Sequence, residues 1–229
     1  MRRTLAERYA LVRERIVAAC SRVDRHPDSV TLIGVSKRQP VALLQEAYDC
    51  GLRLFGESYV QEAVGKVDLM PDDSEWHLIA PLQSNKVKKV VDGGFTCIHA
   101  VDRTKIAHRI DREAASIGRR IDVFLEVNLA NEASKAGFAP AEIASVAEDV
   151  RSLEHLRLRG LMAIPPAQTD VEASRPYFRE LRGLVAALGT PPESGWALSM
   201  GMSHDFEVAI EEGATHVRVG TAIFGSRST

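Results

Sequence analysis

The sequence is poor in cysteine, and its three cysteines are scattered at positions 20, 50 and 97. They form no C-x-x-C pair, and their number is odd, which argues against a zinc site and against a disulfide framework. We therefore expect all three to be small apolar side chains in the core of a protein from a reducing compartment, the cytoplasm.

An excess of charge and a long apolar run are also lacking. The 29 basic and 31 acidic side chains leave a net charge of −2, and the only basic cluster is KVKK at 86–89. No nucleic-acid partner is therefore expected. No stretch of roughly 18 apolar residues occurs and the N-terminus has no signal-peptide core, so we expect no membrane partner.

The chain does contain a regular alternation of short apolar runs and longer helical patterns. The predicted strands lie at 30–36, 52–58, 75–80, 95–101, 121–129, 156–164, 196–200 and 215–220. Helices are predicted near 41–50, 58–68, 84–91, 102–117, 139–150, 173–188, 203–212 and 221–226. Alternating strands and helices favour βαβ units with a parallel sheet. Eight units predict an α/β fold, a single (β/α)8 TIM barrel domain over residues 1–229.

An extra helix is predicted before the first strand, because Leu5, Tyr9, Val12 and Ile16 have amphipathic spacing. The alternative fold is an open doubly wound sheet, which normally binds nucleotide through G-x-G-x-x-G in its first turn. The first turn here, GVSKRQP at 34–40, has no such motif. The barrel is therefore favoured.

Lys37 stands at the end of the first apolar strand, in LIGVSKRQP at 32–40. Barrel active sites lie at the carboxyl ends of the strands. The other six lysines fall in predicted helices or in the loop NEASKAG. A desolvated lysine has a lowered pKa, and its neutral amine can form a Schiff base with a carbonyl group. The alternative is a solvated lysine at a strand end.

The loops after strands seven and eight, where barrels tend to bind phosphate, read SMGMSHD and RVGTAIFG. Hydroxyl groups and free backbone N–H groups at helix starts can hold a phosphate group. We place Ser203, Gly220 and Thr221 in that site. The alternative is that Ser203 and Thr221 are plain helix N-caps.

Arg218 is flanked by Val217 and Val219, so strand alternation directs it away from the valine face. A guanidinium inside a barrel needs hydrogen-bond acceptors. Those acceptors are either Glu57 or Glu126, in a structural ion pair, or an aromatic nitrogen of a bound ligand. Pyridoxal phosphate (PLP) requires a lysine for its aldehyde, a partner for its ring nitrogen and a phosphate cradle.

Taken together, these segments resemble the pyridoxal phosphate homeostasis proteins of the YggS/PROSC type, which are single-domain relatives of the alanine racemase N-terminal barrel. The matching segments are GVSK (34–37), FGESYVQEA (55–63), WHLIAPLQSNK (76–86), VDRTKIA (101–107), VNLANEASKAGF (127–138), LRGLMAIPP (158–166) and LSMGMSHDFEVAIEEGATHVRVGTAIFG (198–225). They occur in order over nearly the whole chain.

The resemblance implies pyridoxal 5'-phosphate as the cofactor, held as a Schiff base on Lys37 with Arg218 facing its ring nitrogen. The cofactor-binding residues that it implies are Lys37, Ser58, His77, Asn128, Met200, Ser203, Arg218, Gly220 and Thr221. Gln83 and Asn85 are further pocket candidates. Ser58 and Ala80 depart from the family pattern, which usually has Asn and Gly there, and we expect them to alter cofactor affinity without abolishing it.

The resemblance further implies a monomeric carrier that serves vitamin B6 supply and amino-acid balance without catalytic turnover. Apo-enzymes that require PLP are the expected recipients. Two alternatives remain: a weak racemase-like PLP enzyme with a local tyrosine or histidine as its second base, and a barrel aldolase in which Lys37 captures a sugar phosphate. Because the chain ends just after the eighth unit, we expect it to lack the β-rich domain that completes a racemase site.

Overall fold

Strand pairing in sequence order, with β8 returning to β1, closes eight parallel strands into a barrel. The computed structural model describes residues 3–130, 132, 136–192 and 195–225. The strands are β1 (Thr31–Val35), β2 (Leu54–Glu57), β3 (Glu75–Leu78), β4 (Cys97–Val101), β5 (Ile121–Glu126), β6 (Leu156–Met162), β7 (Ala197–Met202) and β8 (His216–Val219). The predicted (β/α)8 TIM barrel is confirmed.

Helices surround the barrel and occur where the sequence pattern predicts them. They are α1 (Leu5–Ser21), α2 (Val41–Asp49), α3 (Val60–Val67), α4 (Val87–Asp92), α5 (Thr104–Ser116), α6 (Ile143–Arg151), α7 (Arg175–Gly183), α8 (Phe206–Glu211) and α9 (Thr221–Phe224). The helix predicted from residue 203 begins only at Phe206. Residues 202–205 form a turn instead, in which the Asp205 carboxylate accepts from the Met202 N–H at 2.7 Å.

The extra N-terminal helix, α1, is also confirmed. Thr4 and Glu7 form a capping box at its start, with reciprocal hydrogen bonds of 3.2 and 2.8 Å. Its buried side chains include Val12 and Ile16, and it packs against α2, α8 and α9. It therefore shields the helices at the seam where the barrel closes.

The two faces of each strand have different surroundings. In β8, Val217 and Val219 belong to the apolar core between the sheet and the helices. His216 and Arg218 alternate with them and point into the barrel lumen, where the His216 ring packs against Phe124. The lumen thus holds polar and aromatic groups, whereas the main apolar core lies outside the sheet.

The structure also bears on the cysteine side chains and on the expected absence of a membrane span. Cys20 and Cys97 are buried free thiols, as expected, whereas Cys50 is partly exposed. Within the described ranges, no helix combines the length and the apolar character that a bilayer crossing requires.

We predict that the α1 contacts contribute substantially to stability. Ile16 is 1% exposed and its neighbour Val17 is 43% exposed. Ile16→Ala should lower the free energy of unfolding by about 2–4 kcal/mol, because it removes buried methyl groups and leaves a cavity. Val17→Ala is the control and should change it by less than about 0.5 kcal/mol. Equal effects in urea titrations would contradict this packing.

Candidate functional site

Closure of the barrel brings the ends of β1 and β8 together. Gly34 pairs with Val219, so the loop that carries Lys37 lies beside Gly220. A cavity of about 260 Å³ opens there, at the carboxyl ends of the strands. Its walls include Val35, Lys37, Ser58, Ile79, Ile164, Met202, Ser203, His204, Arg218, Gly220 and Thr221. The structure therefore brings together Lys37, Ser58, Ser203, Arg218, Gly220 and Thr221 from the predicted set.

Lys37 lies in a tight turn just after β1. The turn is closed by the Gln39 N–H, which donates to the Ser36 carbonyl oxygen at 3.0 Å. Arg38 has a φ of 58°, in the left-handed region that residues other than glycine seldom adopt. Such a conformation needs support from its surroundings. Here the Arg38 N–H donates to the Glu62 carboxylate at 2.6 Å, and its guanidinium donates to the Tyr59 hydroxyl at 3.0 Å.

The buried ammonium group of Lys66 supports this turn through hydrogen bonds. Its Nζ donates to the Ser36 carbonyl at 2.8 Å, to Glu57 at 2.8 Å and to Glu62 at 2.5 Å. Since Ser36 precedes Lys37 and Glu62 binds the N–H of Arg38, both neighbours of Lys37 are fixed. Burial raises the pKa of Glu57, and the bond from Lys66 opposes that rise. The Lys66 contacts were not predicted, because a helical lysine in the sequence gives no sign of burial.

Ser203 connects the two loops predicted to bind phosphate. Its Oγ accepts from the backbone N–H of Gly220 at 3.1 Å and of Ala222 at 3.4 Å. It is not the N-cap of its own helix, which begins at Phe206 after Asp205. Gly220 fits closely here, since a Cβ at this position would lie 3.3 Å from Val35 Cβ. Hydroxyl and amide groups of two loops therefore converge on one wall of the cavity.

Arg218 is 3% exposed and lies in the same cavity wall. It donates to the Ser199 hydroxyl at 2.6 Å and to the Ala163 carbonyl at 3.1 Å. These acceptors are neutral, and among the described side chains neither Glu57 nor Glu126 forms an ion pair with it. Burial lowers the pKa of Arg218 to about 10, so it keeps its charge at neutral pH. A structural ion pair therefore does not account for this guanidinium.

Glu126, at the end of β5, has a buried carboxyl group. It is 8% exposed, and its Oε2 has no hydrogen-bond partner among the described residues. Burial, reinforced by Asp102, raises the pKa of Glu126 to about 7. Glu126 lines a second cavity of about 260 Å³. Ile164 lies in the walls of both cavities, so the two adjoin.

Asn128 lies in the wall of this second cavity rather than in the first. Its amide exchanges two hydrogen bonds with the backbone of Glu132, at 2.9 and 3.2 Å. Asn85 lies further away, in an open groove of about 620 Å³ that residues of α3 and α4 line. Gln83 precedes the short 3-10 turn that leads into α4.

His77 and Met200 are not brought to the first cavity by the described structure. His77 is 5% exposed in the lumen, where its ring nitrogens bond to Glu75 and His99. Met200 is fully buried in the apolar core outside the sheet. Met202 lies in the cavity wall instead, because the β7–β8 register shifts between Ser199 and Met202.

Known proteins resemble this chain over nearly its whole length. The family model for the N-terminal domain of alanine racemase matches residues 13–228. A pyridoxal phosphate homeostasis protein of Pseudomonas aeruginosa is 45% identical over 225 residues, which cover 98% of this chain and 96% of the relative. The chain belongs to the pyridoxal phosphate homeostasis protein family.

Two solved structures resemble the barrel of this chain to different degrees. PipY of Synechococcus elongatus PCC7942, solved with PLP bound, superposes with a TM-score of 0.83 at 39% identity, covering 97% of this chain and all of PipY. The alanine racemase of Corynebacterium glutamicum has a TM-score of 0.72 at 15% identity, covering 98% of this chain and 61% of the racemase. The second likeness shows a shared fold alone.

We predict that Lys66 is essential for the turn that carries Lys37. Lys66→Met should lower the free energy of unfolding by about 3–5 kcal/mol, because it leaves Glu57 buried without a counter-charge. The control is Lys88→Met, which removes an exposed ion pair with Asp92 and should have little effect. Similar urea midpoints for the two variants would show that the buried contacts do not hold the turn.

We also predict a pH-dependent stability cost from Glu126. Its pKa is about 7 when folded against an ordinary value of 4.5, so the unfolded chain loses this proton first as the pH rises. The wild type should therefore lose stability relative to Glu126→Gln between pH 4.5 and 7, reaching about 3 kcal/mol, with a constant difference above pH 7.

The measurement is chemical unfolding of both proteins, without PLP, from pH 4 to 8. Glu148→Gln, on an exposed part of α6, is the control and should run parallel to the wild type. Parallel curves for Glu126→Gln as well would contradict the assignment.

Proposed function

We propose that this chain binds PLP through a Schiff base on Lys37 and hands it on to PLP-requiring apo-enzymes without turning over a substrate of its own. One observation carries the proposal. A single cavity combines a turn-held lysine, a buried guanidinium with neutral partners, and a hydroxyl–amide cradle. These are the groups that an aldehyde, a ring nitrogen and a phosphate require.

The fit can be judged group by group. Arg218 retains donor capacity beyond its bonds to Ser199 and Ala163, since a guanidinium carries five N–H groups. The ring nitrogen of PLP can accept such a bond, whereas a sugar phosphate has no ring nitrogen. This difference favours PLP over the aldolase alternative. PLP supplies an aldehyde for imine formation and a ring that can withdraw electrons.

A carrier role is favoured over catalysis by the charge on Arg218. A guanidinium facing the ring nitrogen disfavours protonation of that nitrogen, and an unprotonated ring withdraws electrons less strongly. The relatives support the same role through their name, pyridoxal phosphate homeostasis protein, and the PipY structure with PLP supports binding of the cofactor. We accordingly propose a monomeric, single-domain cytoplasmic carrier. His204, exposed in the cavity wall, is the histidine to examine for residual racemase activity.

The first test is the absorbance spectrum of the purified protein with added PLP, before and after borohydride reduction. We expect a Schiff-base band that Lys37→Ala abolishes, and reduction should attach the cofactor to the peptide that contains Lys37. Lys105→Ala, on the exposed side of α5, is the matched control and should keep the band. A band that persists in Lys37→Ala, or cofactor fixed to another lysine, would refute the site.

The absence of turnover needs its own measurement. Alanine incubated with the PLP-loaded protein in deuterated water should keep its α-proton, because a ring whose nitrogen faces the charged Arg218 withdraws electrons only weakly. Exchange that depends on Lys37 would contradict the carrier role and favour the racemase alternative. His204→Ala would then show whether His204 is the second base.

A further inference from the structure

A continuous chain of hydrogen bonds runs through the barrel lumen and ends at Arg218. The Glu75 carboxylate lies 3.1 Å from Nε2 of His77, and Nδ1 of His77 lies 2.9 Å from Nε2 of His99. Nδ1 of His99 lies 2.8 Å from the Ser199 hydroxyl, which accepts from Arg218 at 2.6 Å. The His99 and Ser199 side chains are fully buried, whereas the Glu75 side chain is 53% exposed.

The direction of this chain is fixed at its Arg218 end. A guanidinium only donates, so Ser199 must accept there. The remaining hydroxyl hydrogen of Ser199 is buried and needs an acceptor. Among the described contacts of that hydroxyl, the His99 Nδ1 is the group that can accept it. His99 must therefore carry its proton on Nε2 and donate to His77.

The opposite end is compatible with the same direction. The hydrogen bond from His77 holds the pKa of Glu75 below its ordinary value, so this carboxylate is ionised and only accepts. His77 therefore donates from Nε2, and its Nδ1 accepts from the Nε2–H of His99 that the Arg218 end assigns. Burial holds the pKa of His99 well below its ordinary value, which keeps that ring neutral. The Arg218 end thus assigns the Nε2–H tautomer to His99 and His77, and the Glu75 end is compatible with it.

A metal site is the other interpretation of this region, because ligand atoms of His77, Cys97 and His99 lie within 4.8 Å of one another. The geometry argues against it. The facing nitrogens of the two histidines are 2.9 Å apart, closer than the roughly 3.2 Å or more that two imidazoles at about 2.0 Å from a tetrahedral zinc would have.

We propose that Glu75, His77, His99 and Ser199 form a hydrogen-bond relay that positions Arg218 toward the ring nitrogen of the cofactor. The positioning role rests on the proposed function. Because the Ser199 hydroxyl donates to Nδ1 of His99, a Ser199 lone pair is held facing Nη1 of Arg218. With Nη2 on the Ala163 carbonyl, two fixed points set the plane of the guanidinium. The relay residues position Arg218 and do not themselves touch the cofactor.

The tautomers can be tested without any cofactor. Long-range ¹H–¹⁵N correlation spectra of the ¹⁵N-labelled protein at pH 7.5 distinguish Nδ1–H, Nε2–H and charged imidazole rings. We expect neutral Nε2–H signals for His77 and His99, assigned by their loss in His77→Gln and His99→Gln. An Nδ1–H signal or an imidazolium for either residue would overturn the relay.

The positioning role is tested with PLP labelled with ¹⁵N in its ring. Ser199→Ala should weaken PLP binding about tenfold and shift the ring-nitrogen resonance, while the Schiff-base band on Lys37 is retained. Glu75→Leu should shift the resonance in the same direction. Glu75→Gln should leave it near the wild-type position, because an amide oxygen still accepts from His77. Thermal unfolding confirms that each variant is folded.

The matched control is Asp149→Leu, which removes a carboxylate from His108 at 3.0 Å on the protein surface and should leave the ring-nitrogen resonance unchanged. Wild-type binding with an unshifted resonance in both Ser199→Ala and Glu75→Leu would overturn the relay's positioning role alone. No PLP binding by the wild type would overturn the proposed function, and the positioning role with it.

Discussion

The pairing of β1 with β8 is the constraint on which the candidate site depends. It joins the first strand to the last across 180 residues or more of chain, as the Gly34–Val219 and Thr31–His216 pairs show. Without it, the Lys37 turn and the Gly220 loop would have no common wall. Because α1 packs against α2, α8 and α9, the extra helix covers this seam on the outside. The site therefore requires the closed barrel.

Two buried cations, Lys66 and Arg218, differ in the groups that accept their hydrogen bonds. Lys66 has carboxylate partners in Glu57 and Glu62, so its charge is balanced inside the protein. Arg218 bonds to the neutral groups of Ser199 and Ala163, and its charge faces a cavity. Burial still lowers the pKa of Arg218 although the Asp205 and Glu126 carboxylates favour its charge, so burying this charge costs stability. A bound ligand that accepts from Arg218 offsets part of that cost.

Much of this could be predicted from the sequence, because apolar alternation fixes the strands and the barrel rule places sites at strand ends. Lys37, Ser203 and Arg218 were found in that way and line one cavity. The position of Met202 could not be predicted in this way, because strict alternation fails where β7 bulges. Three residue steps on β7, from Ser199 to Met202, pair with two residue steps on β8, from His216 to Arg218. The family resemblance implies His77 as a pocket residue, but in the structure its ring lies in the lumen and bonds to Glu75 and His99.

The most direct measurement is a crystal structure of the protein grown with PLP. We expect continuous density from Nζ of Lys37 to the cofactor, a guanidinium nitrogen of Arg218 within hydrogen-bond distance of the ring nitrogen, and the phosphate on the loops of Ser203 and Gly220. Cofactor density that is detached from Lys37, or that lies outside this cavity, would contradict the account.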